Sequence, residues 1–250
     1  MVEASAIELS VILPAYNEEA SVAGAVETYL CALANGSTSF ELIVIDDGST
    51  DGTLAEAKRG AADHPEVRVL SNETNLGQVA TILRGLREAR GEFVMHNGAD
   101  LPFDPADTQK VLVQLRGGAD VVVVERAGRQ AYGGLRKLVS WGNVLFVRLL
   151  FGSPFADHNF VQAYRRSVID EIEVESRGVS TVTTELILKS LAAGFRVERL
   201  SAAYHRRSSG ESSVTFKKIA HTVCELVRLR MALRSRKAAP RRRQATGVRR

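Results

Sequence analysis

The sequence predicts an α/β fold, a mainly parallel sheet flanked by helices in a single domain that ends in a basic C-terminal helix and tail. Three observations lead there. Short apolar runs ending in Asp, Gly or Asn alternate with helix-period segments through the first half, the pattern of successive βαβ units. The 250 residues, 45% of them hydrophobic, suffice for one sizeable core and exclude disorder of the whole chain. From Val214 to the end there are 12 Lys+Arg against the single Glu225, a net +11, whereas residues 1–213 hold 21 Lys+Arg and 28 Asp+Glu, a net −7.

The first strand is Leu9 to Ala15, after which Asn17 is placed to cap a helix whose Val22, Val26, Tyr29, Leu30 and Leu33 share one face. A second strand, Phe40 to Asp46, enters an Asp-Gly-Ser-Thr turn and a short helix around Leu54 to Arg59. The third strand is Val67 to Leu70. Asn75-Leu76-Gly77 then turns into a helix with Val79, Ile82, Leu83 and Leu86 inward, and Gly91 closes it before strand Glu92 to His96. Asp120 to Val124, a continuous apolar run led by an acid, reads as a buried fifth strand. From Gly133 the alternation stops. Helices near Leu135 to Phe151 and Thr183 to Ala192, with strands near Phe160 to Tyr164 and Phe195 to Leu200, fill the second half.

Several classes are excluded. No window offers the roughly 18 apolar residues of a membrane span; Val144 to Phe151 is broken by Arg148. The opening Glu3-Ala4-Ser5-Ala6 lacks the basic start of a secretory signal, and Cys31 and Cys224 lack C-x-x-C spacing, so a reducing, cytoplasmic setting is expected. His96, His158 and His205 have no zinc spacing, and neither G-x-G-x-x-G nor a P-loop is present.

In open parallel sheets, ligands collect beyond the carboxyl ends of the strands. Here those ends are polar: Pro14-Ala15-Tyr16-Asn17-Glu18-Glu19, Asp46-Asp47-Gly48-Ser49-Thr50-Asp51-Gly52 and His96-Asn97-Gly98-Ala99-Asp100. Tandem carboxylates accept hydrogen bonds from a base edge and ribose hydroxyls, and Gly48 and Gly52 let backbone approach a ligand; Asp-Gly is also a common turn former. Asp100 suits Mg²⁺ or Mn²⁺ held against a diphosphate, since hard cations commonly use one or two protein carboxylates, and it equally suits helix capping.

VILPAYNEE at Val11 to Glu19, VIDDGSTDGT at Val44 to Thr53, NLG at Asn75 to Gly77 and ADL at Ala99 to Leu101 resemble, in order and spacing, the family 2 glycosyltransferases of the Rossmann-like GT-A fold. The resemblance covers most of residues 9–213. It implies that Pro14, Ala15, Tyr16, Glu18, Asp46, Asp47, Asn75, Gly77 and Ala99 meet a donor nucleotide sugar. It also implies that Asp100 is the second acid of an Asp-x-Asp motif holding a divalent cation, Mg²⁺ or Mn²⁺. The motif's first acid falls on Gly98, and a Gln common two residues after the second falls on Pro102. Asn97 and Asp104 are the candidates to compensate.

The second half is similar to the branch of dolichyl-phosphate mannose synthases, which implies a polyprenyl phosphate acceptor. Arg126, Arg136 and Ser140 then hold the acceptor phosphate, the last two sharing a helix face, and Arg207 in Arg207-Ser208-Ser209-Gly210-Glu211-Ser212 neutralises the leaving diphosphate. Asp157 matches an acid near the sugar and reads as a positioning residue; Glu185 is the competing base if the acceptor is a hydroxyl. The expected division is a glycosyltransferase domain at 7–213, with a nucleotide-sugar half at 7–125 and an acceptor half at 126–213. A basic amphipathic helix at 214–238 and a disordered tail at 239–250 follow.

Phe216, Ile219, Val223, Leu226, Val227 and Leu233 recur at helical spacing among Lys and Arg, which suits an anionic membrane surface and a peripheral place on its inner face. A membrane-protein partner is compatible with this segment, and nucleic acid is not expected. Two other functions stay open: the same fold acting on a hydroxyl acceptor, and a non-catalytic, receiver-like module phosphorylated at its clustered acids.

Overall fold

The structure is a computed structural model that describes residues 6–34, 38–127, 134–176, 178–205 and 216–237. Its first half runs β1 (Leu9–Ala15), α1 (Val22–Ala34), β2 (Phe40–Asp46), α2 (Thr53–Ala61), β3 (Val67–Ser71), α3 (Gln78–Glu88), β4 (Phe93–His96). A 3-10 turn at Pro105–Asp107 leads to α4 (Thr108–Arg116), β5 (Val121–Ala127), α5 (Gly134–Phe151), β6 (Val161–Arg165), α6 (Arg166–Glu171), α7 (Val179–Ala193), β7 (Val197–Ala203) and α8 (Phe216–Lys237). The expected α/β sheet is observed as one seven-stranded sheet in the order β3-β2-β1-β4-β6-β5-β7. Only β6 runs against its neighbours, β4 and β5.

The alternation of side chains along each strand explains the layers. Leu9, Val11 and Leu13 of β1, with Leu42 and Val44 of β2, face one core with Val22, Val26, Tyr29 and Leu33 of α1, Ala57 of α2 and Leu112 of α4. Ile12, Ile43 and Ile45 point the other way, onto Ile82 and Leu86 of α3, Val168 of α6 and Leu186 and Ile187 of α7. Strands buried on both faces read as continuous apolar runs, which is why they stand out in the sequence.

Chain order reverses between β1 and β4, since β2 and β3 extend the sheet to one side and β4 returns to the other. Such a switch point opens a crevice at the strand ends.

Some boundaries differ from expectation. Asn17 does not cap α1: it sits before the helix with φ +53°, and its Oδ1 accepts instead from Thr50 N at 3.0 Å. β5 runs three residues past Val124, and α7 begins four residues ahead of Thr183. α4 and α6 lie outside the expected elements; α6 is short and buries only Val168, whereas α4 buries Thr108, Val111, Leu112 and Leu115, a helical spacing the sequence reading passes over. The tail at 239–250 and the segment around Arg207 lie outside the described residues.

Candidate active site

The loops after β1 and β2 are bonded to each other. Asn17 N donates to Ser49 Oγ at 3.0 Å, Glu18 N to Thr53 Oγ1 at 2.8 Å, and Gly52 N to Glu19 Oε2 at 3.0 Å. Asp47 N donates to Ala15 O at 2.8 Å, so Pro14 and Ala15 lie against the acid pair. Tyr16, beyond them, is exposed, and the Glu18 carboxylate accepts from Ser21 Oγ at 2.6 Å.

Both acids of the pair are buried and engaged. Asp47 accepts from Asn72 Nδ2 at 2.7 Å, Leu76 N at 3.0 Å and Gly77 N at 2.9 Å, which draws the Asn75–Gly77 turn over the ends of β1 and β2. Asp46 accepts from Ser49 N at 3.3 Å and Ser71 Oγ at 3.1 Å. Gly48 makes the approach possible: at φ +69°, a Cβ there would stand 2.5 Å from the Thr74 carbonyl carbon. Asn72 is a site residue the sequence reading misses. Its signal is a lone amide directly after β3, held on the other side by Arg84 Nη1 at 2.5 Å.

At the end of β4, His96 Nε2 lies 3.1 Å from Gln162 Oε1, and burial pushes the imidazole below its ordinary pKa, so the ring is neutral at neutral pH. Asn97 and one oxygen of Asp104 are engaged in local hydrogen bonds. The Asn97 amide donates to Tyr29 Oη and Phe103 O, both at 2.9 Å, and its Oδ1 accepts from Gly98 N. Asp104 Oδ1 caps the 3-10 turn through Ala106 N at 2.9 Å.

Ala99 is buried, and the Asp100 carboxylate folds over Gly98: a Cβ on that glycine would meet Asp100 Oδ1 at 2.2 Å. The space of the missing first acid is thus filled by the second. Among the described residues, no three His, Cys, Asp or Glu side chains gather as a metal site, and Asp100 is the one acid of the Asp-x-Asp motif that this sequence carries. That fits an ion completed by phosphate oxygens and water, as Mg²⁺ commonly is.

Across the cleft, Arg126 at the end of β5 forks onto Asp157, Nε to Oδ2 at 2.6 Å and Nη2 to Oδ1 at 3.0 Å. Asn159 N also donates to Asp157, and the neighbouring Glu125 accepts from Ala156 N at 2.6 Å. The structure therefore brings Arg126 and Asp157 together as a pair. Arg136 and Ser140 stand one turn apart on α5, their side chains outside the described part, and Arg207 lies outside the described residues altogether.

Glu185 sits inside the helical layer. It is fully buried in α7, with Lys189 Nζ at 2.5 Å, Glu175 N at 3.0 Å and Ser176 N at 2.7 Å on its two oxygens. Burial pushes its pKa up, but the hydrogen bonds from Lys189 and Ser176 outweigh that and hold it below the ordinary carboxylate value. A carboxylate so occupied staples residues 173–176 to α7 and is a poor proton acceptor.

Fold and site define a doubly wound α/β protein with a polar crevice at its switch point, acids on one side and a paired arginine on the other. The chain belongs to glycosyl transferase family 2, whose model matches residues 10–173. It is 28% identical over 231 residues to the dodecaprenyl-phosphate galacturonate synthase of Rhizobium johnstonii, covering 91% of this chain and 68% of that protein. It is 32% identical over 223 residues to an undecaprenyl-phosphate 4-deoxy-4-formamido-L-arabinose transferase of Pectobacterium carotovorum, covering 88% of this chain and 66% of that protein. The chain thus spans about two thirds of these relatives. Glucosyl-3-phosphoglycerate synthase from Mycobacterium tuberculosis, solved with Mn²⁺, UDP and glucosyl-3-phosphoglycerate, matches with a TM-score of 0.65 at 21% identity, covering 94% of this chain and 81% of that one. The GT-A arrangement is the fold observed.

Because the folded pKa of Glu185 is depressed, its stabilising contribution is complete above the pKa of a free glutamate and is lost as pH falls through the lowered value. Glu185→Gln is expected to cost about 3 kcal/mol near neutral pH by leaving Lys189 without its nearest counter-charge. Denaturant titrations should show this deficit shrinking below about pH 4, with turnover per folded molecule retained. Full stability with turnover abolished would restore the base role.

Proposed function

We propose that this chain is an inverting glycosyltransferase that moves a sugar from a nucleoside diphosphate sugar to polyprenyl phosphate at the inner face of a membrane. The observation that carries the reading is the placement of one edge: acid-bearing loops close the parallel half, and Arg126 opens the half that continues into α5 with Arg136 and Ser140. The names of the dodecaprenyl- and undecaprenyl-phosphate relatives support the acceptor class.

In this reading Pro14, Ala15, Tyr16, Glu18, Asp46, Asp47, Asn75, Gly77 and Ala99 surround the nucleotide. Asp100 holds a divalent cation, Mg²⁺ or Mn²⁺, which when bound supplies positive charge to the departing diphosphate. Arg207 adds a guanidinium to the same charge. An acceptor phosphate, with a second pKa of about 6, is already a nucleophile at neutral pH and needs no base. Its oxygen forms the new bond to the anomeric carbon as the bond to the donor diphosphate breaks, and the nucleoside diphosphate leaves with the electron pair. Asp157 fixes Arg126 and so the acceptor's headgroup.

The membrane part of the reading rests on α8 and α5. Glu225, the one acid from Val214 onward, bonds Thr181 Oγ1 at 2.5 Å and pins α8 to the start of α7. With Leu226 and Leu229 turned inward, Val223, Val227 and Met231 (59% exposed) form an outer row, and Leu149 of α5 is 78% exposed. Among the described residues, no helix is long and apolar enough to cross a membrane. Lys and Arg near an anionic surface contribute roughly 1 kcal/mol each.

Purified protein, undecaprenyl phosphate, Mn²⁺ and labelled nucleotide sugars should yield organic-phase label. Asp100→Ala should lower turnover by about 10² to 10³; near-normal turnover in that variant would remove Asp100 from the mechanism. The chain should also sediment with phosphatidylglycerol vesicles and not with phosphatidylcholine ones, and Leu149→Asp with Met231→Asp should weaken that binding. Equal recovery on both vesicles would dismiss the anionic surface.

A further inference from the structure

Arg126 is caged as well as paired. Its guanidinium carbon lies 5.4 Å from the centre of the Phe160 ring and 5.5 Å from that of Tyr204, and the two rings meet edge to face at 5.8 Å and 74°. The sheet register places them there. Ala202 of β7 pairs with Arg126 of β5, and Tyr204 follows two residues later on the same side of the chain, where the small Ala202 leaves room for the arginine.

The cage reaches across to the acid side of the cleft. Phe160 packs edge-on against Phe103 at 6.3 Å and 69°, and Phe103 belongs to the loop that carries Asp100. His205 N, next in chain to Tyr204, donates to Pro102 O of that loop at 3.0 Å. One aromatic cluster thus joins the arginine of the acceptor side to the carboxylate of the donor side.

We propose that Tyr204, acting with Phe160, is a positioning residue that fixes the Arg126 guanidinium for the anionic headgroup of the acceptor. The inference rests on the polyprenyl-phosphate reading and adds a residue to it. A cation over aromatic faces is attracted by the ring quadrupole, and an arginine already held in place loses less rotamer freedom when it binds phosphate. Asp157 fixes the direction of the fork, and the two rings wall in the guanidinium beside it.

The test needs no knowledge of the sugar. Calorimetry with farnesyl phosphate measures headgroup binding, and the tightest of UDP, GDP and CDP with Mn²⁺ measures the donor side. Tyr204→Phe keeps the ring and is expected to bind farnesyl phosphate within about twofold of wild type. Tyr204→Ala is expected to weaken it roughly five- to tenfold while leaving nucleotide affinity unchanged.

Unchanged farnesyl phosphate binding in Tyr204→Ala, an equal loss in Tyr204→Phe, or a parallel loss of nucleotide binding would each overturn the assignment. Wild-type protein that failed to bind farnesyl phosphate at millimolar concentration would instead remove the polyprenyl-phosphate reading, and the assignment with it.

Discussion

The acid-bearing edge of this protein is built on the Asp47 carboxylate, whose two oxygens gather three N–H donors from Asn72, Leu76 and Gly77. Hydrogen bonds to a buried charge contribute about 1.5 to 3 kcal/mol each, and the alternative here is a buried anion with nothing to compensate it. The constraint propagates. To let the turn reach Asp47, the backbone at Thr74 crosses so close to Gly48 that no side chain fits there. The loop after β2 is then bonded to the loop after β1 through Asn17, Ser49 and Thr50. Three strand ends therefore form one rigid wall of the crevice.

The other wall follows from the one reversed strand. Because β6 runs antiparallel to β5, with Val124 opposite Val161, the residues just before β6 come to lie beside the end of β5. That is how Asp157 and Phe160 reach Arg126. A buried ion pair contributes little to stability by itself, since desolvation offsets the attraction. Its value here is geometric: the bidentate fork orients the Arg126 guanidinium. Glu185 and Lys189 are the contrasting case, a buried pair inside the helical layer that holds the loop at 173–176 and leaves the cleft to other residues.

Much of this was legible in the residues. Strands buried on both faces announce themselves as apolar runs, and the loops after them carry the acids, so the sheet and its acid-bearing edge followed from periodicity and order. What escaped depends on contacts distant in sequence. Lys189, one helical turn on, is the local sign that Glu185 is paired, but its donors Glu175 N and Ser176 N belong to another segment and show only in the fold. Asn17 has the chemistry of a helix cap, yet its partner Thr50 lies 33 residues away. Asn72 and Tyr204 carry no motif; they acquire meaning only when β3 and β7 take their places in the sheet.

The central claim is that one sheet edge has two separate walls, one for the nucleotide and one for an anionic acceptor. Hydrogen–deuterium exchange of the described backbone, read with a nucleoside diphosphate and Mn²⁺ and then with farnesyl phosphate, tests it most directly. The account predicts that the nucleotide slows exchange after β1, β2, β3 and β4, whereas the prenyl phosphate slows it at the end of β5, around Asp157 and at the start of α5. Protection of the same segments by both ligands, or of neither set, would contradict it.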